Sequence, residues 1–228
     1  MIDISEYTIN TNNYTSKIRD SIFIQGNENT ILTKGKEDIC EIIIGENEIE
    51  YGTIPDNQKT QYIVSKKLDI GSDIFLDDII SKKLTTTIIN NGLQNFNHLS
   101  TILYLNEYYK INCVIHNKST GKYYATTVRD YPKITCIYNN NSWFIDKNIV
   151  ESIPEYSNNE ELTNILTVDC DFNIYKPYLK PITKYKLKDL EEICKSDQFN
   201  IDLKDENGKK KLKLMLYNEI NLKYIKYI

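Results

Sequence analysis

Four short runs follow one another in the middle of the chain: Tyr109-Lys110-Ile111-Asn112-Cys113-Val114-Ile115-His116, Lys122-Tyr123-Tyr124-Ala125-Thr126-Thr127-Val128, Lys133-Ile134-Thr135-Cys136-Ile137-Tyr138 and Ser142-Trp143-Phe144-Ile145. Each is rich in β-branched and aromatic residues, which fit a pleated, half-buried surface. Turn-forming sets, Ser119-Thr120-Gly121 and Asn139-Asn140-Asn141, separate the first pair and the last pair. The pattern predicts four strands in an antiparallel meander.

Upstream the period changes. Ser72 precedes Asp73, and Phe75, Ile79, Ile80 and Leu84 recur at helical spacing, which predicts a helix ending before Asn90-Asn91-Gly92. A second helix is expected from about 97 to 108, through Leu99, Ile102 and Leu103. The first 65 residues read as strands: Ser21-Ile22-Phe23-Ile24 and Ile39-Cys40-Glu41-Ile42-Ile43-Ile44 are β-branched runs, and Gly45-Glu46-Asn47 sits before Glu48-Ile49-Glu50-Tyr51 as a hairpin loop would. Helices and strands segregate instead of alternating, so residues 1–150 read as an α+β body with an antiparallel sheet or meander and two or three helices.

Residues 151–182 read as a connection. Ser157-Asn158-Asn159-Glu160 has the spacing of a capping box before Leu162, Ile165 and Leu166, predicting a short helix over about 158–167. Pro177 and Pro181 then bracket an extended stretch, because residues before proline avoid the helical region. Charge divides at the same place. Residues 183–228 hold 11 Lys against 8 Asp and Glu, and residues 1–182 hold 17 basic against 24 acidic, so +3 and −7 give the net −4 of the chain.

The chain of 228 residues is 40% apolar and 26% charged, which is ordinary globular usage and excludes a disordered class. No run of about 18 apolar residues is present, so no membrane contact is expected. The opening Met1-Ile2-Asp3-Ile4-Ser5-Glu6 has no basic region followed by an apolar one, so an intracellular protein is expected. Ala125 is the only alanine, and Arg19 and Arg129 are the only arginines, while Ile, Asn, Lys and Tyr abound. That bias follows AT-rich codons and points to a source such as a large DNA virus, with host cytoplasm or virion as the compartment.

The basic tail carries the most information. Leu187, Leu190, Ile193 and Cys194 share one helical face; Phe199-Asn200-Ile201-Asp202-Leu203 alternates as an extended link; and Lys204-Asp205-Glu206-Asn207-Gly208 is a polar turn. A second helix is expected over 209–220, with Leu212, Leu216 and Ile220 on one stripe, packed on the first and independent of the body. Three lysines at its start oppose the helix dipole, which prefers Asp or Glu there by about 0.3–1 kcal/mol each. Lysines beside unpaired helix N–H groups suit an anion such as a nucleic-acid phosphate.

The stretch from about Tyr185 to Ile220 resembles the SAP motif, a small helix, extended link and helix that binds DNA, through Leu187-Lys188-Asp189-Leu190, Ile201-Asp202-Leu203 and Gly208-Lys209-Lys210 to Leu216. This variant is similar to the form found at the ends of uncharacterised proteins of nucleocytoplasmic large (giant) DNA viruses. The family's usual Arg-Leu close of the second helix is Glu219-Ile220 here, and the long link carries Asp205 and Glu206. The resemblance implies a small two-helix SAP-like module over 183–228 that binds duplex DNA weakly and without sequence preference. Its phosphate-binding residues would be Gly208, Lys209, Lys210, Lys211 and Lys213. SAP-like helices also serve as protein-interaction modules, so an unknown protein partner is the alternative.

Signals for catalysis are weak. His98 and His116 are the only histidines, and the cysteines Cys40, Cys113, Cys136, Cys170 and Cys194 lie too far apart in sequence for a zinc site. Residues 133–145 faintly resemble papain-like cysteine proteases of the deubiquitinating kind, but Ser142 stands before Trp143 where the family's histidine would be, which implies an inactive relative. Asp169-Cys170-Asp171 reads as a solvated turn rather than as paired ligands of a divalent ion. Tyr123 and Tyr124, beside Lys122, are the best pair for base stacking. No catalytic residue, metal or cofactor is expected. The sequence thus predicts a non-enzymatic DNA-associated accessory protein of a large DNA virus, with a structural or protein-interaction role as the alternative.

Overall fold

The computed structural model describes residues 35–146 and 160–228. Within them six α-helices and one four-stranded mixed sheet make an α+β fold. In chain order these are α1 (Ile39–Asn47), α2 (Asp56–Ser72), α3 (Thr86–Gln94), α4 (Leu99–Tyr109), β1 (Asn112–Asn117), β2 (Lys122–Ala125), β3 (Lys133–Asn139), β4 (Ser142–Asp146), α5 (Leu187–Lys195) and α6 (Lys213–Tyr227).

The four strands and the helix before them are where the spacing puts them, but the sheet is not a meander. Its order is β2-β1-β3-β4, with antiparallel hairpins at the edges and β1 parallel to β3, Ile115 opposite Cys136. The chain leaves β2 at one edge and crosses the end of β1 in residues 126–132, with Asn112 N–H donating to Pro132 O at 2.8 Å. A parallel pair needs a crossover, and here the crossover is short because it is anchored from inside.

Its anchor is Arg129, whose side chain is 2% exposed. The guanidinium donates through Nε and Nη2 to the two oxygens of Glu107 on α4, both at 3.3 Å, and through Nη1 to Ile225 O on α6 at 3.1 Å. Glu107 is completely buried, and it also accepts from Tyr175 Oη at 2.8 Å and Tyr131 Oη at 3.0 Å. Burial and the Glu107 charge push the Tyr131 hydroxyl up to about 12, and burial holds that of Tyr175 well above its ordinary value, so both remain donors.

α4 packs into the centre: Leu99, Ile102, Leu103, Tyr104 and Leu105 are all buried. It ends at Lys110, in the left-handed region at φ 54°, whose N–H bonds Asn106 O. Asn106 then holds β1 by accepting from Cys113 N–H at 3.1 Å and holds the crossover by donating to Thr126 Oγ1 at 2.8 Å.

The strand reading of 39–51 is corrected. Residues 39–47 are α1, because Asp38 caps it by accepting from Cys40 N–H and because Ile39, Cys40, Ile43 and Ile44 form a buried helical face. That four-residue spacing outweighs the local β preference of three consecutive isoleucines. Gly45 packs on the Tyr51 ring, where a Cβ would lie 2.7 Å from it, so the glycine serves a close approach and not a hairpin. The helix expected to start at Ser72 is also corrected. Ser72 ends α2, and Ile79, Ile80 and Leu84 reach the core from an irregular segment tied to residues 174–176 by Ser81 N–H to Ile174 O and Lys176 N–H to Ile79 O, both 2.5 Å. Asn90-Asn91-Gly92 lies inside α3. The expected helix near 158–167 is a 3₁₀ turn, Glu160–Asn164, and the predicted strand Ser21-Ile22-Phe23-Ile24 falls outside the described residues.

The buried pair yields a stability test. Replacing Arg129 with Met leaves the buried Glu107 charge only the half-exposed Lys110 ammonium at 3.7 Å, and urea unfolding should show a loss of about 3–5 kcal/mol. The double variant Arg129→Met with Glu107→Leu should recover part of that loss, because no buried charge remains uncompensated.

Candidate nucleic-acid interface

The tail folds as helix, extended link and helix. Leu190 and Cys194 of α5 meet Leu216 and Ile220 of α6, with Phe199 of the link and Leu179 from the proline-bracketed stretch completing the cluster. Leu187 and Leu212, expected inside it, are exposed. Asp189 accepts from Lys186 N–H at 2.6 Å and so starts α5. The second helix begins at Lys213, later than the spacing suggested, and runs on to Tyr227. Its end joins the body: Ile225 lies in the main core, Tyr224 touches both clusters, and Arg129 bonds Ile225 O. The tail is therefore packed on the body rather than independent of it.

Residues 203–211 form a small hairpin ahead of α6, so Lys209, Lys210 and Lys211 are not in a helical first turn as expected. Asp205 builds the hairpin: its Oδ1 accepts from Asn207 N–H at 3.0 Å and Lys209 N–H at 2.8 Å, and its own N–H donates to Lys209 O. Lys211 N–H closes the base on Leu203 O at 2.9 Å, and Lys204 pairs with Lys210 across it. Gly208 turns the chain at φ 73°, a region other residues adopt only with strain. The acidic loop residue that seemed opposed to an anion site thus spends its carboxylate on the turn.

The five predicted phosphate-binding residues separate by role. Lys209 and Lys210 project from the hairpin into solvent, Lys213 sits half-buried in the first turn of α6, and Gly208 shapes the turn. Lys211 folds back, its Nζ 2.6 Å from Glu219 and its side chain largely covered. Glu219 thereby withdraws Lys211 from solvent. Lys204 is an exposed cation in the same hairpin that sequence reasoning missed, although the Lys204-to-Gly208 turn signal placed it one arm away from the lysine run. No side chain caps the start of α6, whose N-cap is Leu212, and its first turn holds no acidic residue.

The other candidates have structural employment. Tyr123 is buried and stacks on His116 with ring centres 4.1 Å apart, and Tyr124 is buried with its hydroxyl on Glu161 at 2.9 Å, so neither presents a face for base stacking. Cys113 and Cys136 bring their sulfurs to 3.7 Å in the core. Asp169 is not a solvated turn: it caps α4, accepting from Ser100 N–H at 2.9 Å and Ser100 Oγ at 2.6 Å, and it lies 3.0 Å from His98 Nδ1. Asp171 pairs with Lys83 at the surface. Among the described residues no group of three or more His, Cys, Asp or Glu side chains has a metal-binding arrangement, and no helix is long and apolar enough to cross a membrane.

Burial alone would raise the Asp169 carboxyl, but the Ser100 hydroxyl, His98 and the Ser100 amide hold it below the usual range. A carboxyl whose folded value is depressed stabilises the fold above its unfolded value, near about 3.9, and loses that contribution as pH falls through the folded value. Thermal melts should therefore show Asp169→Asn less stable than the parent near neutral pH, with the gap closing below about pH 4.

The chain matches no family model, no curated protein and no solved structure.

Proposed function

We propose that the chain is a non-enzymatic, DNA-associated accessory protein whose tail touches duplex phosphates through Lys209 and Lys210, with Lys213 beside them. One observation carries this reading. The 203–211 hairpin presents two lysines to solvent immediately before a helix start that has neither a side-chain cap nor an acid in its first turn. Free N–H groups and flexible ammonium groups together suit a backbone phosphate and read no base edge. The SAP-like pattern and the AT-rich residue usage support assigning the protein to a large DNA virus. A −7 charge over residues 1–182 opposes DNA elsewhere on the chain and keeps the contact at the tail.

A second reading, a protein-interaction tail without nucleic-acid binding, is favoured by Leu212, Leu214 and Met215, which stand exposed beside the same lysines.

A salt-dependent titration of the full chain with duplex DNA separates the two. Neutralising two or three phosphates should give a slope of log K against log salt of about −2 to −3, with affinity no better than roughly micromolar near physiological salt. Lys209→Gln with Lys210→Gln should remove most of that slope. Lys211→Gln should leave it nearly unchanged, since the Lys211 ammonium is held by Glu219. Absence of binding even at about 20 mM salt, where screening is weak, would favour the protein-interaction reading.

A further inference from the structure

α2 and α3 enclose a groove of about 580 Å³ on the body, within the size range of small-molecule sites. Val64 and Leu68, one turn apart on α2, and Phe96 beyond the end of α3 line it while remaining 52%, 64% and 54% exposed, and Leu93 is buried in its wall. Singly exposed apolar side chains are ordinary, but three converging on one concavity mark a binding surface.

The groove wall also includes one cationic residue. This is Lys67 of α2, 12% exposed, with Nζ 5.7 Å from the centre of the Phe96 ring. Among the described residues its hydrogen-bond acceptor is Asp38, at 2.5 Å. Asp38 also accepts Cys40 N–H and Asn97 N–H, which fix its carboxylate in place. A lysine ammonium has three hydrogens, and two remain for a further acceptor. Burial lowers the tendency of Lys67 to hold its proton, but the Asp38 charge overrides it and the group stays ionised.

We propose that this groove binds an amphiphile with one anionic head, such as a medium-chain carboxylate, its apolar body against Val64, Leu68, Leu93 and Phe96 and its head on Lys67. The apolar walls and the single cation call for those two features in one molecule.

Calorimetric titration of the full chain with decanoate and with decanol, below their aggregation concentrations, tests the proposal. Decanoate should bind at one site per chain, and decanol at least tenfold more weakly. Leu68→Glu and Phe96→Ser change exposed positions, so both should fold, and each should weaken decanoate binding tenfold or more. Equal binding of the alcohol and the acid, binding indifferent to Leu68→Glu, or no decanoate binding at millimolar concentration would overturn the proposal. So would sedimentation showing a dimer that Leu68→Glu dissolves and decanoate leaves intact, since the groove would then be an interface between copies.

Discussion

The bidentate pair of Arg129 with Glu107 is the constraint on which the arrangement of this chain rests. Two charges taken into a dry interior cost several kcal/mol each unless geometry and further hydrogen bonds compensate. Here two tyrosine hydroxyls complete the carboxylate, and the carbonyl of Ile225 occupies a further guanidinium N–H. One arginine thereby joins the central helix, the crossover between the two hairpins and the last turn of α6. The parallel pairing of β1 with β3 follows from where that crossover is pinned.

Carboxylates recur as organisers of helix starts. Asp38 caps α1 while pairing with Lys67 of α2, and Asp169 caps α4 from a segment 69 residues away. In both places an acid satisfies orphan N–H groups that its helix would otherwise leave buried. These caps set the positions of α1 and α4, and the Asp38 pair ties α2 to α1.

In the tail, two acidic residues decide which lysines face solvent. Asp205 and Gly208 make the hairpin, so Lys209 and Lys210 stand clear of the protein, and Glu219 draws Lys211 onto α6. Because α6 continues past Ile220 to bury Ile225 in the body, the exposed lysines are carried on a surface fixed relative to the sheet.

The sequence by itself determined what depends on local spacing: the α+β class, the strands after residue 109, the helix through Leu99 and Leu103, and the helix, link and helix of the tail. Each is a run whose period and turn residues agree. It also exposed the lysine cluster, because adjacent like charges beside a glycine turn are local. Tertiary structure alone decided the rest. Ile42-Ile43-Ile44 has the composition of a strand but lies in a helix, since a buried cap and a core face outweigh a preference worth a fraction of a kcal/mol. Ile79, Ile80 and Leu84 carry helical spacing, yet they reach the core from an irregular segment bonded to residues 174–176. Which of three consecutive lysines would remain free, and that Tyr123 and Tyr124 would be covered, depended on Glu219, His116 and Glu161. Those partners are distant in sequence or belong to another element, and no periodicity encodes which side chains will meet.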